Sequence, residues 1–593
     1  MIRLPVNFVR ESVNLSWLTG PIFGKELRVS SRRRRNYVLR FAYLALLTIF
    51  LVLFWLEEVR YGGSAVNRAS RMGEAGMNIT AFIVWFQFIA AQLVAIVMMS
   101  NSISDEIYNR TLGLLMTTPI NSLQIVMGKL LSKLLQLILL LAITLPLLAI
   151  VRVFGGVPWA YVVSSLCIIL TTAVFVGSVS MLFSIFSRRA YAVIILTVLT
   201  LAFLFAALPF LSGLFWHLVT GDWPEDKLTE LIFYPNPYAV LGVNTGRMLS
   251  PRGIGGPTFY WPVHCAMIMA ASAALMSFCV SRVRKVALRQ AAGAPSDAGR
   301  TGKKVSPRHL ARKAARPARR VNGPPTLWKE LRTPILRRHK LAAFVVISIA
   351  LGLLFLTYLS LEAQNDLNDD DVQIVYVIIF VSAAMLFNVV LPATAITSEK
   401  ESRSWPLLLA TTLDDGQILF GKFAGVVRRC LPAWALLFGH LILFSFIGYI
   451  RPIAILQMAI LAAWVIAFLT CTGLYFSARF KRTTTAVIMN FALVGFLWVL
   501  MPFLLLIIGE ITRSGGDLAE FYLNTNPLVQ AVVIGRAACP PFDYYWPGTH
   551  ARQCWVNQPF GATCWMLLWM LCYIMTGLLF AWFAKRRFRR NIF

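Results

Sequence analysis

A chain of 593 residues that is 58% hydrophobic and only 14% charged lies outside the soluble globular range and within that of proteins crossing a membrane many times. Its formal net charge of +30 does not call for nucleic acid, because the lysines and arginines cluster between apolar blocks, where anionic headgroups neutralise them. The blocks run to roughly 18 to 28 residues, each long enough for a helix to cross a hydrocarbon core of about 30 Å.

Residues 1–40 are a basic lead-in ending in the run Arg32 to Arg35, without the short apolar core and small-residue site of a removable signal peptide. Inside it, Pro21 is placed to open a helix. Phe23 and Leu27 then share a face beside Lys25 and Glu26, the pattern of a helix lying flat at a membrane interface. The same signature returns behind Pro325 as Trp328, Lys329, Glu330 and Leu331.

Six spans are expected in the first half, near Tyr37 to Trp55, Ile79 to Ser100, Leu130 to Val151, Trp159 to Phe186, Tyr191 to Leu218 and Pro262 to Val280. Between the second and third lies Ile103 to Lys129, which returns without a gap as Ile396 to Lys422. Ile103, Glu106, Arg110 and Leu114 recur as Ile396, Glu399, Arg403 and Leu407, and steps of three or four residues predict that each set shares one helix face. The glutamate precedes the arginine at i,i+4, which is worth only about 0.2–0.5 kcal/mol on an exposed helix. That is too little to account for two copies, so a docking surface is the sharper expectation.

From Arg282 to Lys340 about eighteen basic residues stand against Asp297 and Glu330. The Ala, Gly, Pro and Ser rich middle has little to bury and is expected to be disordered, and it has no interleaved aromatics for stacking on bases. The domain reading is a first membrane half over 1–281, a basic linker over 282–322 and a second half over 323–593. Spans of the second half are expected near Leu341 to Leu359, Val372 to Thr397, Phe423 to Tyr449, Pro452 to Ser477, Ala486 to Gly509 and Gly561 to Ala584. Further echoes keep their order: Phe183 and Ser184 match Phe476 and Ser477, and Asn236 and Pro237 match Asn526 and Pro527. The fold class is therefore an all-α polytopic membrane protein of twelve transmembrane helices in two six-helix repeats. An even span number makes the repeats parallel. With lysine and arginine concentrated in the lead-in, the linker, the tail and the loops at Arg188 and Lys481, both termini and both copies of the motif are expected on the cytoplasmic side of a bacterial inner membrane.

Nine cysteines fall in no metal-ligand spacing, and no metal site is expected. Cys539 and Cys554 share one hydrophilic loop and would be able to bridge if it faces an oxidising compartment, a pairing the sequence leaves open. No phosphate-cradling Gly, four residues, Gly, Lys, Ser or Thr occurs anywhere, the nearest imitation being Gly299 to Lys304. No catalytic residue is assigned.

These features resemble the permease subunits of ABC-2 type transporters. The resemblance rests on the loop after the second span, with its acidic start, Arg110, Thr111, Leu114, Leu115, Thr118, Pro119, Gly128 and Lys129, and on the Lys-Glu-Leu lead-in. It implies an interfacial helix before each first span, a coupling helix after each second span, and short extracytoplasmic structure between spans five and six. It further implies separate ATPase subunits, two in number, that hold the ATP and magnesium, with membrane lipid as the other partner and no nucleic acid. Carried over, Asp105, Glu106, Arg110, Thr111, Leu114 and Thr118 look like the coupling helix, and Glu399, Arg403, Leu407 and Thr411 like its second copy. Trp405 and Pro406 depart from the pattern, and Pro406 is expected to break that helix unless it sits in the first turn.

The rival expectation is an ion-coupled twelve-span secondary transporter. Such machines place ionisable groups at the bilayer midplane; here His440 is the one deep candidate, read as a hydrogen-bonded core residue, and Asn388, Asn490, Gln87 and Gln92 read as helix-packing groups. A membrane-embedded enzyme is the third class, disfavoured because zinc peptidase motifs, paired carboxylates in the spans and a Ser-His arrangement are missing from the sequence, and a membrane scaffold that transports nothing is a further reading.

Overall fold

The computed structural model describes residues 21–26, 28, 32, 37, 40–41, 43–45, 47–49, 51–52, 65–108, 118, 120–153, 156–187, 190–220, 226–250, 259–291, 323–332, 340–365, 367–512, 517–538 and 559–589. Every regular element among them is helical. The chain divides into two units, Met1–Pro317 and Ala318–Phe593.

In the first unit the order is α1 (Ala65–Ser100), α2 (Ser104–Tyr108), α3 (Ser122–Ala142), α4 (Leu145–Val153), α5 (Trp159–Phe186), α6 (Ala190–Ala202), a π-helical turn (Phe203–Ala207), α7 (Leu208–Thr220), α8 (Asp226–Phe233), α9 (Pro237–Leu249) and α10 (Trp261–Ala291). The second unit runs α11 (Pro325–Arg332), α12 (Lys340–Ala363), α13 (Asp370–Thr394), α14 (Thr397–Glu401), α15 (Trp405–Leu409), α16 (Asp415–Ile447), α17 (Ile453–Arg479) and α18 (Thr483–Gly495). A second π-helical turn (Phe496–Leu500) follows, then α19 (Met501–Thr512), α20 (Asp517–Leu523), α21 (Pro527–Ala538) and α22 (Pro559–Arg587).

Ten helical stretches among the described residues are long and apolar enough to cross a membrane. They coincide with ten of the expected spans, Trp159–Phe186 to the residue. Of the other two, the span at Tyr37 to Trp55 lies largely outside the described residues, and α12 contributes a shorter apolar stretch, Ile347–Ala363. The chain is thus an all-α polytopic membrane protein.

In each unit one long span, α5 or α17, is the central post. Small residues let neighbours approach it closely. Ser180 on α5 donates to the Ile96 carbonyl of α1 at 3.1 Å. At the matching place in the second unit Gly473 lies against Pro392 and Ala393, while Asn490 of α18 donates to the Val389 carbonyl at 2.8 Å. Thr472 reaches the same asparagine at 3.1 Å, so Asn490 serves helix packing, as expected of polar groups in spans.

The Asn-Pro echo also acquires a physical role. A π turn leaves a carbonyl without its usual i+4 partner, and the Asn236 amide donates to the Phe205 carbonyl at 2.7 Å while its oxygen caps α9 through the Tyr238 amide at 3.0 Å. Asn526 does the same for the Trp498 carbonyl at 2.8 Å and the Leu528 amide at 3.0 Å. The π turn in span five is therefore built into both halves and pinned by the short helices α9 and α21.

His440 lies among Tyr358, Tyr376, Phe380 and Phe444, with its Nδ1 2.8 Å from the Tyr358 hydroxyl. It is a packed core histidine. Cys539 and Cys554 lie outside the described residues.

Candidate functional site

The repeated segment is best seen in the second unit, where all of it is described. As α13 ends, the amides of Ile396 and Thr397 find no carbonyl in their own helix and both donate to Ser477 Oγ of α17, each at 2.9 Å. In the first unit Ile103 and Ser104 donate to Ser184 Oγ of α5 at 3.1 and 3.0 Å. One hydroxyl with two lone pairs satisfies two buried donors, which explains the echo of Phe183 and Ser184 in Phe476 and Ser477.

The segment then departs from the expected single helix. α14 stops at Glu401, Arg403 takes a left-handed backbone with φ 54°, and α15 restarts at Trp405 with Pro406 in its first turn. Pro406 supplies no N–H, so it is tolerated only there. Ile396, Glu399, Arg403 and Leu407 consequently do not share one continuous helix face. Nor does Glu399 pair with Arg403: its carboxylate meets Lys422 Nζ at 2.5 Å, where α16 begins. In the first unit Glu106 meets Lys129 at 2.9 Å, and Lys129 also donates to the Ser102 carbonyl at 2.7 Å. Of the first copy, Asp105 lies on α2 and Thr118 is exposed, whereas Arg110, Thr111 and Leu114 lie outside the described residues.

Two neighbours of Glu399 fasten the segment further. Lys400 Nζ donates to the carbonyls of Ser477 and Phe480 at 3.2 Å each and to that of Ala478, so an ammonium closes the carbonyl end of α17. Burial, with the nearby Lys481 charge, pushes its pKa down to about 8. Glu401 accepts from the Thr483 amide at 2.7 Å and its hydroxyl at 2.6 Å, at the amide end of α18. Helix termini present unsatisfied groups of opposite sign, and Lys400 and Glu401 serve one of each.

Helix α11 completes the cluster. On α11 the buried positions are Thr326 and Glu330, while Lys329 and Leu331 are exposed and Arg332 lies over the Trp328 ring at 4.6 Å. The inward face is thus polar. It approaches α16 at Gly421 and Gly425, where a Cβ would come within 2.7 Å of Thr326 Oγ1 and of Glu330 Cβ. Glu330 binds Lys422 at 2.7 Å and Arg429 at 2.6 Å. Arg428 donates to the Glu330 carbonyl at 3.3 Å and to that of Leu331. Burial raises the Glu330 pKa, but the charges of Lys422, Arg429 and Lys329 outweigh it and hold the carboxyl below its ordinary 4.5. Ionised Glu330 therefore contributes stability that is present above pH 4.5 and lost as pH falls through its lower folded-state value. Acidifying below 4.5 should lower the unfolding temperature of the wild type, and Glu330→Gln should remove part of that pH dependence. In the first unit residues 21–26 are helical, Ile22 is buried, Phe23 is half-buried and Lys25 is exposed; Glu26 lies 3.7 Å from Lys133 on α3. Leu27 lies outside the described residues.

The surface left on the segment is formed by Arg403, Pro406, Leu407, Ala410 and Thr411, all exposed, with Leu407 at 74%. Trp405 is turned inward against Phe588, ring centroids 4.9 Å apart. Sequence reasoning passed over Lys400, Glu401, Lys422, Ser477 and Arg429 as partners, although constant spacing between Glu106 and Lys129 and between Glu399 and Lys422 was a usable signal. No group of histidine, cysteine and carboxylates suited to a metal occurs among the described residues.

No curated protein and no solved structure matches the chain. Residues 21–256, which include the first copy of the segment with its Glu106–Lys129 pair, match the family described as ABC-2 family transporter protein. Over residues 21–256 this multi-pass membrane protein is similar to the ABC-2 family of transporter proteins.

Proposed function

We propose that the chain is the membrane-spanning part of an ABC transporter and moves a substrate with ATP hydrolysed on two separate ATPase subunits, which hold the nucleotide and magnesium. The observation that carries this reading is the duplicated segment after the second span. Its repeated glutamates, Glu106 and Glu399, are spent on lysines of their own bundle, and its opposite side presents Leu407, Arg403 and Thr411 to whatever lies outside. A segment clasped to three helices and bare on its far side suits a lever, since a push on that side is delivered to spans two, three, four and five together.

In this reading the segment faces the cytoplasm of a bacterial cell, in keeping with the basic loops nearby. Glu106, Asp105, Arg110, Thr111, Leu114, Thr118, Glu399, Arg403, Leu407 and Thr411 form the coupling elements, the glutamates as internal fasteners and the exposed residues as the contact. The test is Mg-ATP hydrolysis co-purifying with the chain from its native membranes in mild detergent. Leu407→Asp should reduce that activity about tenfold, equivalent to about 1.4 kcal/mol of docking energy, with the chain's own unfolding temperature unchanged. Equal ATPase activity in both preparations, or solute movement by the pure chain driven by an ion gradient alone, would overturn it.

A further inference from the structure

The two units attach their interfacial helix in different ways. In the second, one ammonium serves both movable parts: Lys422 lies 2.7 Å from Glu330 on α11 and 2.5 Å from Glu399 on α14. In the first the two attachments are separate, with Glu106 of α2 on Lys129 at 2.9 Å and Glu26 of the 21–26 helix nearest Lys133 at 3.7 Å, one turn further along α3. The sequence enforces the difference. At the offset that relates Lys129 to Lys422, Lys133 becomes Val426 and Gln136 becomes Arg429. Glu330 therefore has no lysine one turn along and shares Lys422, with its second oxygen taken by Arg429 at 2.6 Å.

We infer that Lys422 is a positioning residue that makes the interfacial helix and the coupling segment of the second half move as one piece. The side chains of Lys422 and Glu330 are 8% and 10% exposed, so water does not compete well for either charge. Displacing α14 must drag Lys422 or break a buried ion pair, and either event reaches α11. The inference rests on the proposed function only in naming what drives the motion; the wiring is a property of this chain alone.

Amide hydrogen exchange on the full chain in lipid nanodiscs, without nucleotide or any other protein, tests it. Lys422→Met should raise exchange several-fold in both 325–332 and 397–401 and leave 527–538 unchanged, whereas Lys422→Arg, which keeps the charge, should restore both. Glu330→Gln, which loosens α11 from Lys422, should raise exchange in 397–401 as well as in 325–332 and remains informative if Lys422→Met is not recovered in folded form. Loosening of only one segment by Lys422→Met or by Glu330→Gln would overturn the inference. Since no ATPase is present, this failure is separable from that of the proposed transport function.

Discussion

Ser477→Ala should lower the stability of the chain by about 2–6 kcal/mol, from two buried amide donors left without an acceptor at about 1–3 kcal/mol each. The donors are Ile396 and Thr397, both fully buried, at the turn where α13 hands over to α14. Neither amide has a substitute carbonyl within its own turn, because each lies at the start of a new helix. A water entering the space of the lost hydroxyl would bring the cost toward the lower figure. Ser184→Ala should act likewise in the first unit and lose one bond more, since Ser184 also donates to the Ser100 carbonyl at 3.2 Å. The measurement is the SDS-unfolding midpoint followed by tryptophan fluorescence, with Ser178→Ala as control because that hydroxyl only returns to the Val174 carbonyl of its own helix. If Ser477→Ala moved the midpoint no more than Ser178→Ala, the account of the repeat as a structural fastening would be wrong.

The serine shows what the sequence could and could not reveal. Spans were legible because length and apolarity are properties of contiguous residues, and ten of them emerge where hydropathy places them. Duplication was legible too, since an unbroken offset needs no structure to detect. The partners of the duplicated residues were not. Glu399 was expected to look along its helix to Arg403, because i,i+4 spacing is the one geometry a linear reading supplies. It turns instead to Lys422, on the helix beyond a turn that no periodicity describes. The broken helix was half legible: Pro406 announced the break, but the left-handed turn at Arg403 depends on α14 and α15 being held from two sides. On α11 the sequence drew attention to Trp328, Lys329, Glu330 and Leu331; of these Glu330 joins the helix to the bundle, together with Thr326, which the sequence did not single out, and both approach glycines nearly a hundred positions away.

Gly473→Ala should destabilise the second unit by about 1–3 kcal/mol, the range for overpacking a close-packed interior, and toward its upper end. An added Cβ would come within 2.6 Å of Pro392 Cβ, 2.9 Å of the Ala393 amide nitrogen and 3.2 Å of Asn490 Nδ2. Two of these atoms belong to a proline ring and to backbone, which have no rotamer to move into, so α13 and α17 must part. Parting them stretches the Asn490 bond to the Val389 carbonyl and disturbs the Ser477 contacts one turn along α17. The mutation therefore tests whether α17, α13 and the repeated segment form one mechanical unit. Gly439→Ala on α16 is the opposite case, with no atom within 4 Å of the added carbon. There the helix propensity gain of about 1 kcal/mol is unopposed, and the unfolding midpoint should hold or rise. In the first unit Ser180 occupies the place of Gly473 and spends its hydroxyl on Ile96, so Ser180→Ala should be milder than Gly473→Ala: it removes one neutral hydrogen bond, worth about 0.5–1.5 kcal/mol, without adding volume. Exchange in 397–401 should rise with Gly473→Ala and stay unchanged with Gly439→Ala. A Gly473→Ala protein as stable as the wild type and as protected in that segment would mean that the crossing of α13 and α17 does not position it.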